Sequence, residues 1–244
     1  MFDIMLSMIK IFPALKKLAN LLKFHAKLYI VGGYIRDSLL GIKSTDCDLC
    51  SKLKIDELEQ ILYDSEYKII PSNKQFGTAK IQYKNFTFEY STFRKDFYNP
   101  NGKHSPKKIE FVTTIEEDCI RRDFTINAIY FDIIENQIID PFNALEDIKN
   151  KVLKAVPNTP KTLSIDGERL LRLARFSAKL GLKIEENTLL EAKQYQNNIK
   201  ELSENTIKKF LHSTEKCTNI ERQNIKKILQ SLNAFELANK IKED

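Results

Sequence analysis

Apolar positions recur with two different periods along this chain, and the change of period divides it. In the first half, short apolar runs bounded by turn residues alternate with short helical stretches. Ile11, Leu15, Leu18, Leu21 and Leu22 fall at helical spacing, with Lys16, Lys17 and Lys23 elsewhere, which predicts an amphipathic helix packed on the domain. Lys27 to Val31 is a short, mostly apolar run, the pattern of a buried strand. Ile55 to Tyr63 is helical in pattern, with Leu58, Ile61 and Leu62 as its stripe. Ala79 to Tyr83 and Phe86 to Tyr90 alternate with period two across Lys84-Asn85 and predict a β-hairpin. Lys95 to Lys108, marked by Asn99-Pro100-Asn101-Gly102 and Ser105-Pro106, reads as a loop. Ile109 to Val112 reads as another strand, and Ile138-Ile139 ends a further one at the Asp140-Pro141 turn.

From Asp166 onward the texture is helical. Leu170, Leu171, Ala174 and Ala178 are helically spaced, helices continue over 186–195, 203–211 and 220–232, and no proline follows Pro160. The expected fold class is α+β: a head built on a small mixed β-sheet with flanking helices, residues 1–157, then an all-helical part, residues 158–244.

Composition changes this picture modestly. A chain of 244 residues, 42% hydrophobic and 30% charged, suits one large globular domain or two modest ones. A formal net charge of +6 favours an acidic partner, with nucleic acid first. Cys47 and Cys50 form a C-x-x-C, but Cys119 and Cys217 supply no second pair at zinc-site spacing. Ordinary buried thiols in a reducing, cytoplasmic setting fit this usage. Met1 to Phe12 is apolar, yet Asp3 stands where a signal peptide carries positive charge, and the run is too short to span a bilayer. No membrane association is expected.

The chemistry is concentrated in three places. Val31-Gly32-Gly33-Tyr34-Ile35-Arg36-Asp37 leads from a strand through a glycine turn into a helix, and Asp46-Cys47-Asp48-Leu49 follows. Glycines at a strand end allow backbone N–H groups close to a polyphosphate. Asp46 and Asp48, two apart on a strand, converge on one face, while Cys47 between them faces the other way. Two such carboxylates suit Mg²⁺, which takes carboxylates together with substrate phosphates. Arg121-Arg122-Asp123-Phe124-Thr125-Ile126-Asn127-Ala128 combines forked phosphate donors with acceptors for sugar hydroxyls, and Asp123 could accept from a ribose 2′-OH. In Asp166-Gly167-Glu168-Arg169, the aspartate and arginine are neighbours on a helix face. Side by side they could read a base edge carrying an amino group, as in cytosine and adenine. Arg172 and Arg175 reach phosphate or brace the domain junction. Taken alone, the ordinary meanings are a solvated loop pair for Asp46 and Asp48, a surface salt-bridge cluster for Arg121 to Ala128 and an intrahelical ion pair for Asp166 and Arg169.

In this order the motifs resemble the class II tRNA nucleotidyltransferases, the CCA-adding group that shares its catalytic head with bacterial poly(A) polymerases. The Gly32-Gly33…Asp46-x-Asp48 unit is similar to the family's metal-binding motif, and Arg121 to Ala128 to its ribose-selecting motif. Asp140-Pro141 with Asp147 is similar to its interdomain motif, and Asp166-x-x-Arg169 to the segment that reads the incoming base. The likeness extends over about residues 28–211. Ile165 departs from it, because relatives usually carry glutamate there.

The resemblance implies a nucleotidyltransferase head followed by a helical neck. Asp46 and Asp48 would hold two Mg²⁺ ions for in-line displacement of pyrophosphate, with Glu89 as a supporting acid. Gly32, Gly33, Arg36, Arg122 and Asn127 would lie along the triphosphate, Asp123 would take the ribose, and Asp166 and Arg169 would select CTP and ATP. The acceptor would be the 3′ end of tRNA. Residues 93–108 hold five Lys/Arg against one acid, with Phe97 and Tyr98 interleaved, a composition suited to an RNA end. Poly(A) addition, a partial CC- or A-adding activity, and a non-catalytic RNA-binding module on the same scaffold are the alternatives.

Overall fold

The structure is a computed structural model that describes residues 7–98, 106–158 and 160–242. Its centre is a seven-stranded mixed sheet made of β1 (Tyr29–Val31), β2 (Asp48–Ser51), β3 (Lys68–Asn73), β4 (Thr78–Tyr83), β5 (Phe86–Thr92), β8 (Tyr130–Asp132) and β9 (Gln137–Ile139). The spatial order is β3-β4-β5-β2-β1-β8-β9. Only β2 and β5 run parallel; every other neighbouring pair is antiparallel. The register aligns one buried row across the strands: Ala79, Tyr90, Leu49, Ile30, Phe131 and Ile138. Leu49, Ile30 and Phe131 have no exposed surface. The adjacent row is Lys80, Glu89, Asp48, Val31, Tyr130 and Ile139, and it faces the other side. The first row is core, and the second carries Lys80, Glu89 and Asp48 beside the buried Val31 and Tyr130.

Helix α1 (Pro13–Leu22) begins at a proline and buries Ala14, Leu15, Leu18, Ala19 and Leu22. Leu21, expected on that stripe, is instead 41% exposed, because the true face is formed by steps of three and four from Leu15. Phe12, just before α1, contacts Phe86 and Phe88 of β5 at ring-centroid distances of 6.0 and 6.5 Å. Met1 to Leu6, part of the apolar N-terminal run, lie outside the described residues. Helix α2 (Gly33–Leu39) follows β1 directly, and α3 (Ile55–Ile61) follows β2. The hairpin of β4 and β5 turns at Lys84, whose φ is +51°.

Strand β3 has no counterpart in the expected elements. It contains Pro71, which has no N–H to give to a ladder, and it is tolerated because β3 is the sheet edge. The segment expected as a loop, residues 95–108, is bounded by strands: β6 (Arg94–Phe97) and β7 (Lys108–Phe111) form a two-stranded sheet. The Asn99-Pro100-Asn101-Gly102 and Ser105 turn signals lie outside the described residues. Helices α4 (Ile115–Cys119) and α5 (Ala144–Lys149) flank β8 and β9 in sequence.

The chain separates into two compact units, one of residues 1–95 with 109–148, the other of residues 96–108 with 149–244. The α-helices of the second are α6 (Glu168–Leu180), α7 (Glu186–Gln194), α8 (Glu204–Thr214), α9 (Asn219–Ser231) and α10 (Phe235–Asn239). Helix α6 packs against α9, and α9 against α10. A two-residue strand on each side, β10 (Val152–Leu153) and β11 (Lys183–Ile184), adds a short parallel pair to this otherwise helical unit. Among the described residues no helix is long and apolar enough to cross a membrane.

Leu49 lies at the centre of the buried row, so truncation leaves a cavity that the flanking strands cannot close. Leu49→Ala is expected to lower unfolding stability by about 3 kcal/mol, measured by urea denaturation.

Candidate active site

Strand pairing builds the first half of the site. Val31 ends β1 directly opposite Asp48, the first residue of β2, and Asp48 is in turn abreast of Glu89 on β5. Gly32, the next residue after Val31, has φ +78°, a conformation that a side chain would strain. A methyl group placed on Gly32 would lie 3.7 Å from Arg122 Nη1 and 3.8 Å from Asp48 Oδ2. The glycine turn, the carboxylate and the arginine are therefore neighbours at one end of the sheet. Asp46 precedes the strand and is exposed, and Asp48 is half-buried. Cys47 is buried, and burial, with the negative charge of Asp48 and Asp46, pushes its thiol well above the ordinary range.

This donor set fits Mg²⁺. Both candidate ligands are hard carboxylate oxygens, and the one soft atom between them is protonated and turned into the core. Among the described residues no group of three or more His, Cys, Asp or Glu is placed to hold a metal, so Glu89 does not complete a three-carboxylate cluster with Asp46 and Asp48. Glu89 pairs instead with Lys80, its cross-strand neighbour, at 3.3 Å. Mg²⁺ commonly takes one or two carboxylates and fills its shell with water and phosphate oxygens.

The segment 118–130 forms a connected polar network. Arg36 on α2 donates to Asn127 Oδ1 at 2.6 Å and to Asp37 Oδ1 at 2.6 and 2.8 Å. Asn127 Nδ2 donates to Asp123 Oδ1 at 3.0 Å, and the Phe124 N–H donates to the same oxygen at 2.8 Å. Arg36, Asn127 and Asp123 are all nearly buried, so the short 3₁₀ turn of 125–127 is tied to α2 through side chains. Thr125 donates to Asp147 Oδ2 at 2.7 Å, which ties the same turn to α5. The Asp140 carboxylate accepts the Ala144 and Leu145 N–H groups at 2.8 and 2.9 Å and caps that helix.

Asp118, on α4, was not a candidate in the sequence. It is fully buried and accepts from Arg121 Nε at 2.8 Å, Arg122 Nη2 at 3.3 Å and the Tyr130 hydroxyl at 2.6 Å. Burial alone would raise its pKa, but Arg121, Arg122 and the Tyr130 hydrogen bond outweigh it and hold the carboxyl far below the usual range. Its sequence signal was the spacing, an acid three and four residues before the paired arginines.

The base-reading candidates belong to the second unit. Asp166 and Arg169 are both 5% exposed, and their charged groups approach no closer than 4.0 Å. Asp166 Oδ1 accepts the Glu168 N–H at 2.8 Å, and Arg169 Nη1 donates to the Thr162 carbonyl at 3.3 Å. The Arg169 guanidinium also lies 5.7 Å from the centre of the Tyr98 ring. Burial raises the Tyr98 hydroxyl pKa. Gly167 was unremarked in the sequence, yet a Cβ there would lie 2.3 Å from the Asn198 carbonyl oxygen. Arg172 and Arg175 flank one ring, with guanidinium carbons 4.9 and 5.0 Å from the centre of Phe176.

A carboxylate at the head of a strand, a glycine turn beside it and an arginine network behind both define a nucleotidyltransferase head followed by a helical region. Residues 28–154 match the model described as the Poly A polymerase head domain, and the chain belongs to that family. Its relatives include the CCA-adding enzyme of Ligilactobacillus salivarius, 35% identical over 194 residues, which are 80% of this chain and 43% of that protein. The CCA-adding enzyme of Staphylococcus epidermidis is 32% identical over 224 residues, 91% of this chain and 53% of the relative. Among solved structures, the Bacillus stearothermophilus CCA-adding enzyme in complex with CTP superposes with a TM-score of 0.74 at 26% identity, covering 92% of this chain and 53% of that one. A tRNA nucleotidyltransferase complexed with a primer tRNA and an incoming ATP analog gives 0.68 at 25% identity, covering 93% and 61%. The chain spans about half the length of the curated relatives it matches.

Two outcomes are expected. Gly167→Ala forces a side chain into the Asn198 backbone and is expected to cost about 2 kcal/mol or more of stability, read by chemical denaturation. The folded pKa of Asp118 is depressed, so its contribution to stability is complete above the unfolded carboxylate pKa of about 4 and is lost as pH falls below it. Acid unfolding followed by circular dichroism is expected to be steeper for the wild type than for Asp118→Asn.

Proposed function

We propose that this chain is a template-independent nucleotidyltransferase that adds C and A residues to the 3′ end of tRNA from CTP and ATP, releasing pyrophosphate. The observation that carries the reading is the placement of Asp48 beside Gly32 and Arg122 at one end of the sheet. Relatives named as CCA-adding enzymes, and neighbours solved with CTP or with a primer tRNA and an ATP analog, support it.

In this reading residues 1–157 act as catalytic head and 158–244 as neck, working in the reducing cytoplasm. Asp46 and Asp48 hold Mg²⁺, which when bound supplies Lewis-acid stabilisation of the triphosphate and activation of the RNA 3′-hydroxyl. Gly32 and Gly33 leave room for phosphate oxygens to approach the backbone, and Arg122 donates to them. Arg36 and Asn127 serve by bracing the turn that presents Asp123, whose carboxylate accepts from the ribose. Asp166 and Arg169 offer an acceptor and a forked donor to the base edge, with the aspartate suited to the amino groups of cytosine and adenine. Arg172 and Arg175 keep their guanidinium groups spread over Phe176 and stiffen the helix that carries Arg169. Glu89 is a flanking acid on the same row as Asp48. The positive net charge draws the RNA, so binding weakens steeply as salt rises.

The test is incubation with tRNA transcripts ending before CCA, with Mg²⁺ and with CTP and ATP separately and together. Extension by cytidines from CTP alone, completed when ATP is added, is expected. Growth by adenosines alone would replace the proposal with poly(A) or A-addition. Asp46→Ala with Asp48→Ala is expected to abolish extension while gel-shift binding of the tRNA is largely kept. Absence of incorporation by the wild type would leave an RNA-binding module.

A further inference from the structure

Arg122 lies beside Gly32, and each of its guanidinium nitrogens has a fixed partner. Nε donates to the Tyr130 hydroxyl at 3.0 Å, Nη1 to the Asn127 carbonyl at 3.4 Å and Nη2 to Asp118 Oδ2 at 3.3 Å. The Tyr130 ring lies beneath the guanidinium, 5.1 Å from its carbon. Asp118 is common to the whole arrangement. Its Oδ2 also accepts from the Tyr130 hydroxyl, and its Oδ1 accepts from Arg121 Nε and, at 3.1 Å, from the backbone N–H of Arg94 at the start of β6. Having no exposed surface, Asp118 cannot touch a substrate.

We propose that Asp118 is a positioning residue for nucleotide binding, which holds the Arg122 guanidinium beside Gly32 and Asp48 and ties it to the first residue of β6. This rests on the reading of the chain as a nucleotidyltransferase. A purely stabilising role is a weak account of the cluster, since burying ion pairs gains little over packing apolar groups of the same size. The geometry gains something else. A guanidinium on a flexible side chain would otherwise sample several rotamers, and three fixed hydrogen bonds with a ring beneath leave it one. Its Nη1 edge is then directed at the place where a Gly32 side chain would have been.

The test is a double-mutant cycle with Asp118→Asn and Arg122→Gln. Asp118→Asn keeps the size of the residue and removes the charge. It is expected to raise the KM for CTP and ATP by about tenfold, the scale of one charge-assisted hydrogen bond, with a smaller effect on kcat. In the Arg122→Gln background it is expected to add nothing further. Tyr130→Phe, which removes the hydroxyl between the two groups, is expected to shift KM in the same direction and carries the comparison if Asp118→Asn does not fold. A lower melting temperature with unchanged KM would overturn the proposal and leave a structural ion pair. Effects that multiply across the cycle would also overturn it. Calorimetric titration of each variant with ATP and Mg²⁺ separates the two claims. If the wild type binds ATP but extends no tRNA, the functional reading falls and the affinities decide the role of Asp118. If the wild type binds no ATP, both fall.

Discussion

The pairing of β1 with β2 on one side and β8 on the other is the constraint on which the rest of the first unit depends. Ile30 stands abreast of Leu49 and Phe131, and none of the three has exposed surface. Their burial sets the register, because a slip of one residue would turn the apolar row outward and carry Asp48 into the core. Once that register holds, Val31 is aligned with Asp48 and Tyr130, and the chain leaves β1 through Gly32 at that point. Asp48, the glycine turn and the tyrosine under Arg122 are thus assembled by hydrophobic burial one residue away.

Much of this was legible in the sequence. The hairpin, the glycine turn after β1 and the buried side of Cys47 followed from local periods and turn residues, which act within a few positions of themselves. Strand β3 was not legible, since Pro71 argues against a strand unless its place at the sheet edge is known. Leu21 was assigned to the buried stripe from spacing alone, whereas only Leu15, Leu18 and Leu22 of that stripe pack inward. The long-range partners of Asp118 and the Gly167–Asn198 approach were not legible for a different reason. Each depends on groups far apart in the chain, Arg94 and Tyr130 in one case and Asn198 in the other. For the site, the residue types were readable and their partners were not. Arg36, expected along a triphosphate, donates to Asn127 and Asp37.

The two arginine–carboxylate arrangements differ in a way that suits different tasks. Arg122 is held by a buried carboxylate, a hydroxyl and a carbonyl, and its position follows from the sheet. Arg169 stands 4.0 Å from Asp166, beyond hydrogen-bond contact, and is steadied by a carbonyl and the Tyr98 ring. Under the proposed function, a phosphate contact would require one fixed geometry, whereas reading two kinds of base would be served by an acceptor and a donor 4.0 Å apart.

Cys47, just before β2, and Cys50, within it, are both buried, and their odd separation along extended chain turns the side chains to opposite sides. Neither can meet the other, and burial keeps both as thiols with little nucleophilic character. They bracket Asp48, one from the core side and one from the side of Asp118 and Arg122. Any excursion that freed this strand would expose a thiol, and the two faces would be exposed by different movements. The two thiols therefore mark different sides of the strand, Cys47 the core side and Cys50 the side of the arginine network.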